Sequence, residues 1–90
     1  MVSRREMIAE IRQMIEDGRL APGTKLPSTV DLMEIYEVSQ STVFNAMQAL
    51  AAAGLVEPVH GDARYVTGEP RGEKTIDLSL FRRLRIRRIG

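Results

Sequence analysis

Leu20-Ala21-Pro22-Gly23-Thr24-Lys25-Leu26-Pro27-Ser28 and Val38-Ser39-Gln40-Ser41-Thr42-Val43 are the stretches that decide how this chain folds. Pro22-Gly23 marks a turn, and Leu26-Pro27 precedes a helix start. Ser28-Thr29-Val30-Asp31 has capping-box-like spacing with Asp31 at the N3 position, and Leu32, Met33, Ile35 and Tyr36 give that helix an apolar side. Glu37-Val38 is a tight turn. Ser39 then caps a further helix that runs to about Ala53, with Val43, Ala46, Met47 and Leu50 facing inward. Gly54 suits the left-handed position just past its end. Leu55-Val56-Glu57 is a short strand that Pro58 confines to an edge or a bulge. Gly61-Asp62 supplies a hairpin turn and Arg64-Tyr65-Val66-Thr67 the returning strand.

Upstream, Ser3-Arg4-Arg5-Glu6 predicts a helix starting at Arg4, with Met7, Ile8, Ile11, Met14 and Ile15 on one face and Gly18 at its end. The predicted fold class is therefore mainly α with a small β-hairpin (α+β). It is a winged helix-turn-helix of three helices and a two- to three-stranded wing over residues 1–68. Gly68 to Gly72 closes the unit, and residues 69–90 form a basic tail. Within the tail, Ile76, Leu78 and Leu80 alternate as in a strand, while Leu78, Phe81 and Leu84 fit a helix almost as well.

The chain has 90 residues, no cysteine, one histidine and four aromatics (two Tyr, two Phe). Its core must rest on aliphatic and Met side chains, a thin core that favours a homodimer. Without cysteine there is no disulfide or thiolate metal site, and no cofactor is expected. One histidine and no Gly-rich phosphate loop argue against an enzyme. No apolar run is long enough to span a bilayer, so a cytoplasmic protein with no membrane partner is expected. Residues 1–70 hold six basic and ten acidic residues, and residues 71–90 seven basic and two acidic. A mildly acidic body thus carries a basic tail.

Ile15-Glu16-Asp17-Gly18, Leu20 to Ser28, Val38 to Val43, Ala46, Leu50, Gly54-Leu55-Val56 and Tyr65-Val66 resemble the N-terminal winged-helix domain of the GntR family of bacterial transcription regulators. The resemblance spans roughly residues 4–67. It implies double-stranded DNA as partner, bound by a dimer at a two-fold-related site. Family members usually carry arginines where this chain has Val30, Gln40 and Phe44, and the usual Gly-x-Gly-Thr-Phe-Val of the wing is Gly61-Asp62-Ala63-Arg64-Tyr65-Val66. Only about 20 residues follow the wing, so no small-molecule effector domain is expected.

In such a fold the last helix enters the DNA major groove, and here it carries no charged residue. Gln40, Ser41, Asn45 and Gln48 point away from its apolar side, with amides suited to adenine. Ser39, Gln40, Ser41, Thr42 and Asn45 are the expected major-groove residues. His60, Gly61 and Arg64 are expected at the wing, and Lys25, Ser28, Arg82, Arg83 and Arg85 on phosphates. Phe44 either packs on a thymine methyl or a protein partner, or turns into the core. The arginine-rich tail has three readings: a phosphate-binding arm, a dimer element, or a solvated end. The alternative function is a protein-interaction module, for which Val30 and Phe44, exposed together, would form the apolar patch.

Overall fold

Three helices of this protein each start on a serine. Ser3, Ser28 and Ser39 sit in extended backbone, and each Oγ accepts the N–H of the residue three places on: Glu6 (3.1 Å), Asp31 (3.2 Å) and Thr42 (3.2 Å). At Ser3 the box is complete, since its own N–H donates to Glu6 Oε1 at 3.0 Å. Each cap satisfies a backbone donor that a helix start otherwise leaves open, worth about 1 kcal/mol against alanine. The resulting order is α1 (Arg4–Glu16), α2 (Thr29–Tyr36), α3 (Gln40–Ala52), β1 (Val56–Pro58) and β2 (Arg64–Val66). The computed structural model describes residues 2–58, 63–68, 79 and 81–83.

Local backbone chemistry ends the helices as predicted. Gly54 follows α3 at φ +79°, a conformation that suits glycine, with open space around its α-carbon. Between α2 and α3 the left-handed position falls on Glu37 (φ 56°, ψ 51°), at a cost of about 1–2 kcal/mol for a residue with a Cβ. That conformation is held because the N–H groups of Glu37 and Val38 both donate to the Met33 carbonyl. After α1, Asp17 and Arg19 form an ion pair at 2.8 Å. Arg19 donates to the Asp17 carboxylate and holds its pKa below the ordinary value, so this contribution is present at neutral pH and fades as pH falls through the lowered value.

The core collects Met7, Ile11 and Met14 from α1, Leu32 and Ile35 from α2, and Val43, Ala46, Met47 and Leu50 from α3. Val56 and Val66 close it from the sheet, and Leu20 and Leu26 from the connection. Ile8, Ile15 and Met33, expected on the same faces, lie at its edges and are only partly buried.

β1 and β2 pair antiparallel, with Val56 opposite Val66 and Pro58 opposite Arg64. Pro58 ends β1, the strand with one partner, as a residue without an N–H requires. The other edge of β2 is taken by the chain before α2. Lys25 bridges Tyr65, Leu26 N–H donates to the Arg64 carbonyl (2.9 Å), and Val66 N–H donates to the Thr24 carbonyl (2.8 Å). Gly68 (φ +117°) lies so close to Pro22 that a Cβ there would stand 3.0 Å from the proline Cβ. β2 is thus paired on both edges, with β1 on one and the body on the other.

Two features were not anticipated from the sequence. Glu10 is buried on α1 and accepts a 2.6 Å hydrogen bond from the Tyr36 hydroxyl. Phe81, in the tail, is fully buried and meets Tyr36 edge-on at 6.3 Å and 77°. Ser79 and residues 81–83 are helical, so the core draws on residues beyond the glycines at 68 and 72.

Phe81→Ala is expected to lower the unfolding free energy by about 3–5 kcal/mol in urea titration, as for a large core deletion. Unchanged stability would show that the body folds without this ring. Tyr36→Phe removes the donor to Glu10 with little change in volume and is expected to cost about 1–3 kcal/mol by the same assay.

Candidate nucleic-acid interface

α3 presents one apolar and one uncharged polar side because its buried positions, Val43, Ala46, Met47 and Leu50, recur at helical spacing. Gln40, Ser41, Phe44, Asn45 and Gln48 are exposed on the remainder. They form two rows along the helix: Gln40, Phe44 and Gln48 at four-residue steps, and beside them Ser41 and Asn45. No side chain on this helix is charged.

At the start of α3 the hydroxyls form a cluster. Ser39 Oγ lies 3.2 Å from Ser41 Oγ and 3.0 Å from Thr42 Oγ1 while it accepts the Thr42 N–H. Thr42 is half-buried, so Ser39, Gln40 and Ser41 make the open end of the helix. Ser28 is half-buried and serves as the cap of α2. Lys25 is half-buried with its backbone in the bridge to Tyr65, beside the sheet.

Arg64, expected to face outward from the wing, is 7% exposed. Its Nη1 donates to Thr29 Oγ1 at 3.2 Å, which ties β2 to the first residue of α2. The side chain is held inward because β2 alternates: Arg64 and Val66 face the body, and Tyr65 is half-buried. In this position Arg64 braces the wing and offers little surface to a phosphate.

Arg82 and Arg83 are exposed beside the buried Phe81, so the ring's seat on Tyr36 determines where these two cations leave the body. His60, Gly61 and Arg85 lie outside the described residues.

Phe44 is 52% exposed and Val30 62% exposed, which settles that the Phe44 ring is not part of the core. They line different recesses. Phe44 lines a recess of about 230 Å³ between α3 and the sheet, with Met47, Ala51, Val56 and Pro58. Val30 lines an open groove of about 710 Å³ that also takes in Val2, Arg4, Met33, Ser39 and Thr42.

Arg4 was not foreseen as a neighbour of α3. The start of α1 and the start of α3 border the same groove, so Arg4 and Ser39 both line it. In sequence, Arg4-Arg5 looks like any solvated first turn, and only helix packing shows what lies beside it. Glu34 and Glu37 border that groove too, so its lining carries more negative than positive charge. Among the described residues, no helix is long and apolar enough to cross a membrane.

Comparison with known proteins agrees with this geometry. Residues 4–66 match the model of the family described as bacterial regulatory proteins, gntR family. The HTH-type transcriptional regulator LutR of Bacillus subtilis (strain 168) is 47% identical over 53 residues, 59% of this chain and 24% of LutR. The mannosyl-D-glycerate transport/metabolism system repressor MngR of Escherichia coli (strain K12) is 34% identical over 77 residues, 86% of this chain and 32% of MngR. The HTH-type transcriptional repressor YtrA of Bacillus subtilis (strain 168) is 29% identical over 62 residues, 69% of this chain and 48% of YtrA. The chain thus spans from about a quarter to about half of the length of these curated relatives. Through residues 4–66, and with three serine-capped helices ahead of a two-stranded wing, this chain belongs to the gntR family of bacterial regulatory proteins.

Proposed function

We propose that the protein is a sequence-specific DNA-binding transcription regulator, acting in the cytoplasm as a homodimer on a two-fold-related site in double-stranded DNA. The observation that carries this reading is the outer face of α3. From Gln40 to Gln48 it is open, free of charge and, Phe44 apart, polar, on the helix that enters the major groove in folds of this type. Gln40 and Asn45 are suited to adenine N6 and N7, and Ser41 to either donors or acceptors. Ser39 and the amides at the start of α3 meet a phosphate. Relatives named as transcriptional regulators and a repressor give the same direction.

Affinity comes from cations outside the helix. Lys25 by the wing and Arg82, Arg83 and Arg85 in the tail take phosphates, and His60 and Gly61 follow the wing into the neighbouring groove. Arg64 supports this arrangement from inside, through Thr29.

Selection of bound duplexes from random DNA by the full chain tests this reading. A symmetric motif is the expected result, and no enrichment by well-folded protein would overturn it and turn the search to protein partners. On the recovered motif, Asn45→Ala is expected to weaken binding by about 1–3 kcal/mol and to relax preference at one base pair per half-site. Binding is expected to fall steeply with salt. Replacing both Arg82 and Arg83 by alanine should make the slope of log affinity against log salt shallower by about 2 per protomer, as measured by fluorescence anisotropy.

A further inference from the structure

Phe44 is the only described aromatic side chain with more than a third of its surface open, and it stands in the middle of the outward face of α3. Gln40 and Gln48 lie four residues on either side, so the ring sits between two long amides in one row. Met47, Ala51, Val56 and Pro58 give the recess beside it an apolar lining, which Gln48 and the inward-held Arg64 complete. Nothing in this row carries a charge.

The chemistry of the major groove restricts what such a ring meets. Base edges there are donors and acceptors, except for the C5-methyl group of thymine. An A·T pair offers adenine N6 and N7 to an amide and, on the other strand, a methyl group to an apolar surface. A G·C pair offers no methyl group, and guanine is read chiefly by arginine or lysine, which α3 lacks. A phenyl ring flanked by two glutamine amides therefore matches A·T pairs better than G·C pairs, which offer the ring no methyl group.

We propose that Phe44 reads the C5-methyl of thymine, and that with Gln40 and Gln48 it makes α3 selective for an A·T-rich half-site. This inference rests on the DNA-binding function proposed above. It differs from that reading in assigning discrimination to a non-polar contact, so hydrogen bonds alone do not account for the preferred sequence. The ring lies outside the buried core, so its replacement is expected to leave the fold in place.

The test uses the full chain and the motif selected from random duplex DNA. Each thymine of the motif is replaced in turn by deoxyuridine, which removes the methyl group and keeps every hydrogen bond. Wild-type protein is expected to lose about 4-fold in affinity at one thymine per half-site, the value of one buried methyl group. Phe44→Ala is expected to bind more weakly and to show no difference between thymine and uracil at that position, whereas Phe44→Leu retains part of the difference. Circular dichroism melting confirms that both variants are folded. A wild-type protein that binds its motif but is indifferent to every uracil replacement overturns the Phe44 inference and leaves the DNA-binding function standing. A uracil effect of the same size in Phe44→Ala, or a motif of G·C pairs opposite α3, overturns it as well. Failure to enrich any motif overturns both.

Discussion

Tyr36 holds together three parts of the chain that are far apart in sequence. Its hydroxyl donates to Glu10 on α1, and its ring meets Phe81 of the tail edge-on. Its backbone is the last turn of α2, directly before the left-handed Glu37. A buried carboxylate is costly without a donor, so the Tyr36–Glu10 contact ties α1 to the end of α2 in one geometry. A tyrosine suits the place because one end of the side chain is apolar and the other polar. The direction in which α3 leaves the turn follows from where that end of α2 is held. The outward face of α3 thus depends on a contact that lies wholly inside.

A second internal contact does the same for the wing. β2 is paired with β1 on one edge and with the 24–26 backbone on the other, and Arg64 binds Thr29 at the start of α2. Both ends of α2 are thereby anchored, the first to the wing and the last to α1 and the tail. A hairpin of two three-residue strands is marginal alone, and here the body supplies its missing edge.

The features legible in the sequence are those that need only neighbours along the chain. Ser3, Ser28 and Ser39 are recognisable as caps because the partner N–H lies three residues away. Gly54 and the Val43/Ala46/Met47/Leu50 stripe are equally local, and Pro58 announces an edge strand by lacking a donor. Glu10, Arg64 and Phe81 were not legible because their roles are set by partners that lie between 26 and 45 residues away: Tyr36 for Glu10 and Phe81, Thr29 for Arg64. By composition a glutamate on a helix and an arginine on a wing belong outside, and only the structure supplies the buried hydroxyls that bring them in. Phe44 stood between two readings for the same reason: helical phase puts it at the boundary of the apolar stripe, and the sheet behind α3 leaves the ring half open.

An uncharged recognition helix divides the work of binding in a particular way. In most protein–DNA contacts phosphate-bound cations provide much of the affinity and base edges the discrimination. Where arginines lie on the helix itself, one side chain serves both ends, and a change to one alters the other. Here α3 carries amides, hydroxyls and one ring, while the exposed cations Arg82 and Arg83 leave the body from the seat of Phe81 on Tyr36. Under the proposed function the two tasks would therefore fall on different parts of the chain, joined through the core. Under this arrangement salt acts mainly on the tail contribution, since neither an amide–adenine bond nor a ring–methyl contact releases counterions. Raising the salt concentration should then lower affinity for all duplexes together while leaving the ratio between correct and incorrect sites nearly constant.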